Sequence, residues 1–247
     1  MTNEAGSVEP RHGVGPVLER FDRIRRIAVL RGGGLGDLMF AMPAVEALAA
    51  AYPEATITLL GSSAHAALLS GRPGPVDEVE VLPVSEGVRP PKDGEAEDPA
   101  ELERFFTRMR ERCFDLAVQV HGGGRYSNPF LLRLGARHTV GTRTPDAIKL
   151  ERVLPYRYYQ NEFMRSLEIV GLAGAPPVSV EATLHVTAEE RRAAADLLGG
   201  VPAERPLVGI HPGATDPRRR WPVERFAEIA GRALADGAAV AVVGDET

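Results

Sequence analysis

One short stretch, residues 31–37, constrains the fold most, because it joins a strand pattern to a helix pattern through a run of glycines. Residues 27–30 are an uninterrupted aliphatic run typical of a buried strand, and apolar side chains recur at helical spacing from Leu38. Four glycines within residues 32–36 allow positive φ and a close approach to a ligand, and the helix behind them offers free N–H groups to an anion. We therefore predict a strand, turn and helix whose turn, including Gly34 and Gly36, faces a ligand.

Asp37 stands at the mouth of this turn and has two interpretations. It could act on a ligand as a general base. A carboxylate at a helix N-terminus is also a common cap, because it satisfies free N–H groups and interacts well with the helix dipole. A dinucleotide-binding fingerprint fits poorly, because its third glycine would fall at Asp37 and the next strand ends in Gly61-Ser62-Ser63 without an acidic residue. A nicotinamide-dependent oxidoreductase is therefore disfavoured.

Strand and helix patterns alternate along the chain, which is typical of an α/β fold with a mainly parallel sheet. Strands are predicted at residues 27–30, 56–60, 79–81, 116–120, 139–140, 183–186, 207–210 and 239–243. Residues 83–99 are too polar and too rich in breakers to pack, so we expect a mobile loop with no assigned role. The break at residues 171–177 is the best domain boundary. We divide the chain into a disordered tail (1–22), an N-terminal domain (23–172) and a partial C-terminal domain (178–247).

Two further turns follow strands. After the strand at 116–120 comes a second glycine-rich turn with His121 and Arg125, and the ends of parallel strands meet at one edge, so both glycine turns should face one cleft. His121 and Arg125 are candidate substrate contacts, or else form a tight turn with a solvated arginine. After the strand at 207–210, residues 218–220 are three arginines placed just before a helix. Arginine suits phosphate, although such a run can also be a solvated face.

Composition excludes several classes of protein. With 29 basic and 34 acidic residues the net charge is −5, which argues against a general nucleic-acid binder. No apolar stretch reaches membrane-spanning length, and residues 1–20 lack the apolar core of a signal peptide, which leaves only peripheral membrane association open. The single cysteine, Cys113, excludes an internal disulfide, so we expect a cytoplasmic protein in which Cys113 is a small core residue.

Two motifs in this order carry a resemblance to a known family. They are Arg31-x-x-x-Leu35-Gly36-Asp37 with Pro43, and His211-Pro212-Gly213-Ala214 with Arg219-x-Trp221-Pro222. Together they resemble glycosyltransferase family 9, the ADP-heptose:lipopolysaccharide heptosyltransferase family. The resemblance runs from about residue 26 to the end.

The resemblance implies a GT-B fold with two Rossmann-like domains and mainly parallel sheets, the first on the acceptor side and the second binding a nucleotide-sugar, usually ADP-heptose. It implies an inverting transfer to a hydroxyl of a glycan or small-molecule acceptor, with Asp37 as the general base. Donor phosphate would be bound by His211, Pro212, Gly213, Ala214 and Arg219, the last a position that is commonly lysine in the family. No Asp-x-Asp pair is present, so we expect no metal, and no cofactor beside the donor.

One departure from the family concerns the second domain. The family continues beyond the Val242-Val243-Gly244 strand end into further βα units with an Asp-Ser-Gly-Pro-x-His segment, which this sequence lacks. We therefore expect the second domain to be incomplete and either loosely held or self-associating, and part of the strand at 239–243 to face solvent or a neighbouring chain. We also expect residues 1–247 alone to transfer no sugar. The alternative is a non-catalytic sugar-binding or partner-binding domain left after loss of the donor site.

Overall fold

The computed structural model describes residues 14–92, 94–202, 204–214 and 216–244. The chain divides into two compact units, one ending at His185 and the other beginning at Val186. This division lies later in the chain than the predicted break at 171–177. Residues after that break still belong to the first unit, because Val180, Ala182 and Leu184 pack against its core.

The first unit contains a six-stranded parallel sheet in the order β3-β2-β1-β4-β5-β6. Its strands are β1 (Arg26–Leu30), β2 (Thr56–Gly61), β3 (Glu78–Val81), β4 (Leu116–Gln119), β5 (His138–Arg143) and β6 (Arg152–Pro155). Its helices are α1 (Leu35–Ala51), α2 (Ser63–Leu69), α3 (Pro99–Glu111), α4 (Ser127–Leu132) and α5 (Glu162–Gly171). This strand order is that of a Rossmann-type doubly wound domain, in which the order reverses between β1 and β4.

The core lies on both faces of this sheet, because the side chains of a strand point alternately to opposite faces. On β1, Ile27 and Val29 pack on one face with apolar residues of α1 and α5, while Ala28 and Leu30 pack on the other with α3 and α4. Helices therefore cover both faces. This accounts for the uninterrupted aliphatic pattern of the strand.

The segment before β1 is packed, which corrects part of the predicted disordered tail. Residues 1–13 lie outside the described residues, but Val14 and Phe21 are buried in the core. The ring of Phe21 lies between the guanidinium of Arg152, 3.8 Å from its centroid, and the imidazole of His138, at 4.1 Å. The prediction of disorder was therefore wrong for residues 14–22. A few buried apolar side chains hold this segment against the core.

Several local predictions also need correction. β6 and α4 were not predicted, because β6 is a short, partly exposed edge strand and α4 is a single short helix. Residues 183–186, predicted as a strand, form no regular element. Cys113 is exposed rather than part of the core, with a φ of 49° just beyond the end of α3.

The second unit is smaller. It contains α6 (Ala188–Leu198), β7 (Leu207–Ile210), a 3-10 helix (Pro217–Arg219), α7 (Val223–Ala235) and β8 (Ala239–Val242), with β7 and β8 parallel. Among its described residues the apolar side chains that reach full burial are Ile210, Ala238 and Ala239. Val242 is 70% exposed, so the expected exposure of part of the last strand is confirmed.

Candidate active site

The first glycine turn joins β1 to α1 and presents Asp37 in the first turn of that helix. Gly34 is the N-cap residue, and its N–H donates to Asp37 Oδ2 at 2.9 Å. Gly33 has a φ of +91°, and a Cβ atom there would lie 2.4 Å from Asp37 Oδ2, so both the backbone and the carboxylate require glycine. The capping interaction considered from the sequence is therefore present.

The second oxygen of Asp37 faces a buried arginine. Arg31 is 4% exposed, and its Nη2 donates to Asp37 Oδ1 at 2.7 Å while its Nε donates to the Asp37 backbone carbonyl at 2.9 Å. The Asp37 side chain remains 48% exposed. The turn thus presents an oriented carboxylate to solvent with a buried positive charge behind it.

The second glycine turn lies beside the first. Arg31 Nη1 donates to the Val120 carbonyl at 2.5 Å, which ties the end of β1 to the end of β4. His121 is half-buried, and its Nε2 lies 3.1 Å from the Gly87 carbonyl, to which it must donate. Burial, and next the charge of Arg31, lower the pKa of His121. The two turns therefore lie side by side at the carboxyl ends of β1 and β4.

Arg125 and Gly36 lie at the exposed edge of the site. Arg125 is exposed, with its Nη1 3.8 Å from Asp146 Oδ2 and its guanidinium stacked over the ring of Tyr126. Gly36 is exposed in the first turn of α1, and a Cβ atom there would meet no atom within 4 Å. Gly36 therefore leaves open space beside Asp37, while Arg125 offers a cation to the solvent at the end of β4.

Residues 83–92 form one wall of the site, which corrects the expectation of an unpacked mobile loop. Val84 and Val88 are buried, and the Ser85 N–H donates to the Arg89 carbonyl at 3.0 Å to close a turn. Arg89 binds Glu95, with 2.7 Å between Nη1 and Oε2, and lowers the pKa of that carboxyl to about 2. A few apolar residues and one arginine therefore order a stretch that composition alone marked as a loop.

Sequence reasoning missed several residues that build the site. Gln119 is wholly buried, and its amide donates to the carbonyls of His121 (2.6 Å) and Gly122 (3.1 Å), which shapes the second turn. On α5, Glu162 pairs with the buried Arg165 and lies 3.8 Å from Arg31 Nη1. A polar residue within a buried strand, and a Glu and Arg at i,i+3, were the available signals.

Arg165 connects the charged cluster to the tyrosine-rich loop at the end of β6. It donates to the Arg157 carbonyl at 2.6 Å and lies over the ring of Tyr156 at 4.4 Å. Tyr158 and Tyr159 are 76% and 97% exposed and pack edge to face against each other. Tyr156 therefore has a packing role, and the other two rings are left free at the rim.

In the second unit, the predicted phosphate site lies after β7. His211-Pro212-Gly213-Ala214 follows the strand, and the 3-10 helix is capped by Asp216. Arg218 pairs with Asp216 at 2.7 Å, and Arg220 donates to the Ala214 carbonyl at 2.7 Å. The exposed guanidinium of Arg219 has no hydrogen bond or ion pair with any described residue.

The described residues include neither a metal-binding cluster nor a membrane-spanning helix. No group of three or more His, Cys, Asp and Glu side chains in this part of the chain is arranged to hold a metal ion. None of the helices described there combines the length and apolar composition needed to span a bilayer.

The strand order of the first unit is that of a Rossmann-like α/β domain, and this fold matches the domains of GT-B glycosyltransferases. The Asp37 carboxylate lies where the strand order reverses. The family model for glycosyltransferase family 9 (heptosyltransferase) matches residues 102–247, and the chain belongs to that family.

Two curated relatives are lipopolysaccharide heptosyltransferase 2 of Escherichia coli K12 and of Salmonella typhimurium LT2. Each is 24% identical over 235 residues, which cover 89% of this chain and 63% of the relative. The chain thus spans less than two thirds of the length of these proteins.

Two solved structures share the fold. A family 9 glycosyl transferase from Veillonella parvula aligns with a TM-score of 0.71 at 20% identity, over 92% of this chain and 64% of the other. Escherichia coli ADP-heptose lps heptosyltransferase II aligns with a TM-score of 0.63 at 22% identity, over 90% and 65%.

Proposed function

We propose that this protein is an inverting glycosyltransferase that moves a heptose or related sugar from a nucleotide-sugar, most simply ADP-heptose, to a hydroxyl of a glycan acceptor. The observation that carries the proposal is the half-exposed Asp37 carboxylate, held by buried Arg31 where the sheet order reverses. Open α/β sheets bind ligands at such points. Family membership and the heptosyltransferase relatives supply the class of reaction.

Asp37 would act as the general base. In a single displacement, the acceptor oxygen attacks the anomeric carbon as the bond from that carbon to the diphosphate oxygen breaks. The acceptor proton passes to Asp37, and the electron pair leaves with the diphosphate. Arg31 fixes one carboxylate oxygen and Gly34 the other, which leaves the remaining lone pairs on the exposed side to accept the proton.

The acceptor would approach from the edge formed by the two glycine turns. Gly34 and Gly36 line that edge without side-chain bulk, and His121 and Arg125 stand at the neighbouring turn. Arg125 is exposed and only loosely paired with Asp146, so it could bind an anionic group on the acceptor at little cost.

The donor diphosphate would bind in the second unit. Of the three consecutive arginines, Arg218 and Arg220 are engaged locally, while the exposed guanidinium of Arg219 makes no hydrogen bond or ion pair with a described residue. The backbone after His211-Pro212-Gly213 offers further donors. An arginine with its fork of donors free can hold the charge that develops on the leaving group. No metal is required by this scheme.

The alternative is a non-catalytic sugar-binding or partner-binding domain. One observation favours it: both carboxylate oxygens of Asp37 already have partners within the turn, as expected of a helix cap.

A transfer assay separates the two functions. The full-length gene product and the 247-residue chain would each be incubated with ADP-heptose and lipopolysaccharide extracted from Escherichia coli lacking lipopolysaccharide heptosyltransferase 2, with UDP-glucose as the control donor. For the full-length gene product we expect ADP release matched by one added heptose on the acceptor, with inverted anomeric configuration, and for the 247-residue chain alone we expect no transfer. Binding of acceptor without ADP release from either protein would support the non-catalytic alternative and overturn the proposal.

A further inference from the structure

A buried histidine, His65, lies directly behind the first glycine turn. It belongs to α2, which follows β2, the neighbour of β1, and its side chain is wholly buried. The Ser62 N–H donates to His65 Nδ1 at 3.2 Å, so Nδ1 is the acceptor and Nε2 carries the proton. Nε2 then donates to the Gly34 carbonyl at 3.0 Å. Both ring nitrogens are therefore used, and one of them holds the turn that carries Asp37.

Gly34 is the residue that this contact controls. Its N–H donates to Asp37 Oδ2, and its carbonyl accepts from the Leu38 N–H at 3.2 Å as well as from His65. A glycine has no side chain to restrict its dihedral angles, so its conformation depends on such bonds. The N–H and the carbonyl lie in two peptide planes that meet at the Gly34 Cα, so a bond that holds the carbonyl limits the rotation of the residue and, with it, the direction in which its N–H meets the Asp37 carboxylate.

The surroundings of His65 suit a neutral ring. A Cβ atom on Gly61 would lie 2.7 Å from His65 Nδ1, so the strand end leaves just enough space for the imidazole. Burial is the main cause that lowers the pKa of His65; the charged groups acting on it are Asp37, which opposes this effect, and Arg31, which adds to it. The tautomer that donates to Gly34 therefore persists near neutral pH.

We propose that His65 is a positioning residue for the sugar transfer: by holding the Gly34 carbonyl it fixes the Gly34 N–H, and through it directs the Asp37 carboxylate toward the acceptor hydroxyl. The inference rests on the proposed function, because it assigns His65 a role only through Asp37. It extends the site to a residue that contacts neither donor nor acceptor.

The first test uses the 247-residue chain without substrate. The amide proton shift of Gly34, measured by NMR, should differ between the wild type and Asp37→Asn, since the bonded carboxylate is lost. His65→Leu should abolish most of that difference. His65→Gln should retain it, because the glutamine amide nitrogen reaches the position of Nε2, whereas His65→Asn reaches only that of Nδ1 and should not.

The second test measures transfer with the full-length gene product. His65→Leu and His65→Asn should lower kcat about tenfold to a hundredfold, the scale for a misplaced reacting group, and leave the KM for the nucleotide-sugar unchanged. His65→Gln should recover most of the rate. If His65→Leu fails to fold, the comparison of His65→Gln with His65→Asn still tests the inference.

Equal effects of Gln and Asn in both measurements would show that His65 is only a packed core histidine and would overturn the inference. If Asp37→Asn keeps full turnover, Asp37 is not the base and the inference fails with it; if the wild-type protein transfers no sugar, the proposed function fails instead. The Gly34 shifts would then still show whether His65 holds the turn.

Discussion

The two units use the same strand and helix patterns but bury them to very different extents. In the first unit the four residues of β1 after Arg26 are all buried, with Ile27 and Leu30 both at 0% exposure. In the second unit neither α6 nor α7 has a fully buried residue, and Leu197 is 86% exposed. A βα pattern thus specifies which element forms, while burial requires enough neighbouring elements to cover both faces of the sheet.

Helix α7 shows the difference most clearly. Its apolar side chains recur on one face, yet Ile229 is 45% exposed and Leu234 is 52% exposed. Helix α1 buries nine of its seventeen residues against β1 and α5. Apolar side chains of a helix are therefore buried much more completely against the six-stranded sheet than against the two strands described in the second unit.

The largest expected effect is on stability and compares two phenylalanines. Phe106 is wholly buried, with its ring 4.7 Å from that of Phe130, whereas Phe226 is partly buried and packs against Trp221 at 5.3 Å. Phe106→Ala should destabilise the first unit by about 3–5 kcal/mol, the usual cost of such a cavity, and Phe226→Ala should cost the second unit much less.

Urea unfolding can follow the two units separately. Trp221 is the single tryptophan, so its fluorescence reports on the second unit, while circular dichroism reports on all helices. We expect the fluorescence transition at lower urea than the main change in circular dichroism. Coincident transitions, or equal losses of stability in the two variants, would show that both units unfold as one body. They would contradict the difference in stability between the units.

The next effect concerns catalysis in the first unit. In the full-length gene product, Asp37→Asn should lower turnover about a hundredfold or more, the scale of a lost general base. Affinity for the nucleotide-sugar should hardly change, because Asp37 belongs to the first unit. Steady-state kinetics with a thermal melt of each protein would show this. Full turnover in a folded Asp37→Asn protein would make Asp37 only a helix cap.

The matching effect in the second unit concerns the donor. Arg219→Ala should weaken ADP binding to the full-length gene product by about 1.5–3 kcal/mol, the range for a hydrogen bond to a charged group. Arg218→Ala is the control and should matter less, because its side chain already pairs with Asp216. Calorimetry with ADP measures both. Small and equal losses of ADP affinity in the two variants would show that the arginines only form a solvated face.

The smallest effect is a pH dependence confined to the first unit. Burial is the main cause that lowers the pKa of both His65 and His121, so the unfolded chain binds protons more readily than the folded one. Stability should be unaffected by these groups above the unfolded pKa of 6.5 and should fall as the pH drops below it. Urea titrations at about pH 7.5 and pH 5.5 measure the change.

The variants His65→Gln and His121→Gln sharpen that measurement. Each should reduce the slope of first-unit stability against pH, since glutamine does not titrate in this range. A slope unchanged in both variants would mean that other groups cause it. The Trp221 transition of the second unit serves as the internal reference.

Much of the site could be predicted from local patterns in the sequence. The aliphatic run of β1, the glycines of both turns and the arginines after β7 each follow from strand, turn and helix signals over a few residues. Gln119 and Arg165 were missed, because a polar residue in a buried strand and a Glu-Arg pair at i,i+3 do not show that these side chains donate to turn carbonyls. Residues 83–92 were misjudged since composition does not reveal that Val84 and Val88 meet a buried surface.

The sequence by itself determined most of the element types, the parallel α/β architecture and the family, because periodicity and motif spacing are local properties of the chain. Only the tertiary structure decided that His65, behind β2, bonds Gly34 and that Arg31, the partner of Asp37, bonds the Val120 carbonyl after β4. Those contacts join the ends of β1, β2 and β4, which come together through the 3-2-1-4-5-6 order of the sheet. The environment of a carboxylate depends on which strand ends are neighbours, and that is a property of the packed sheet.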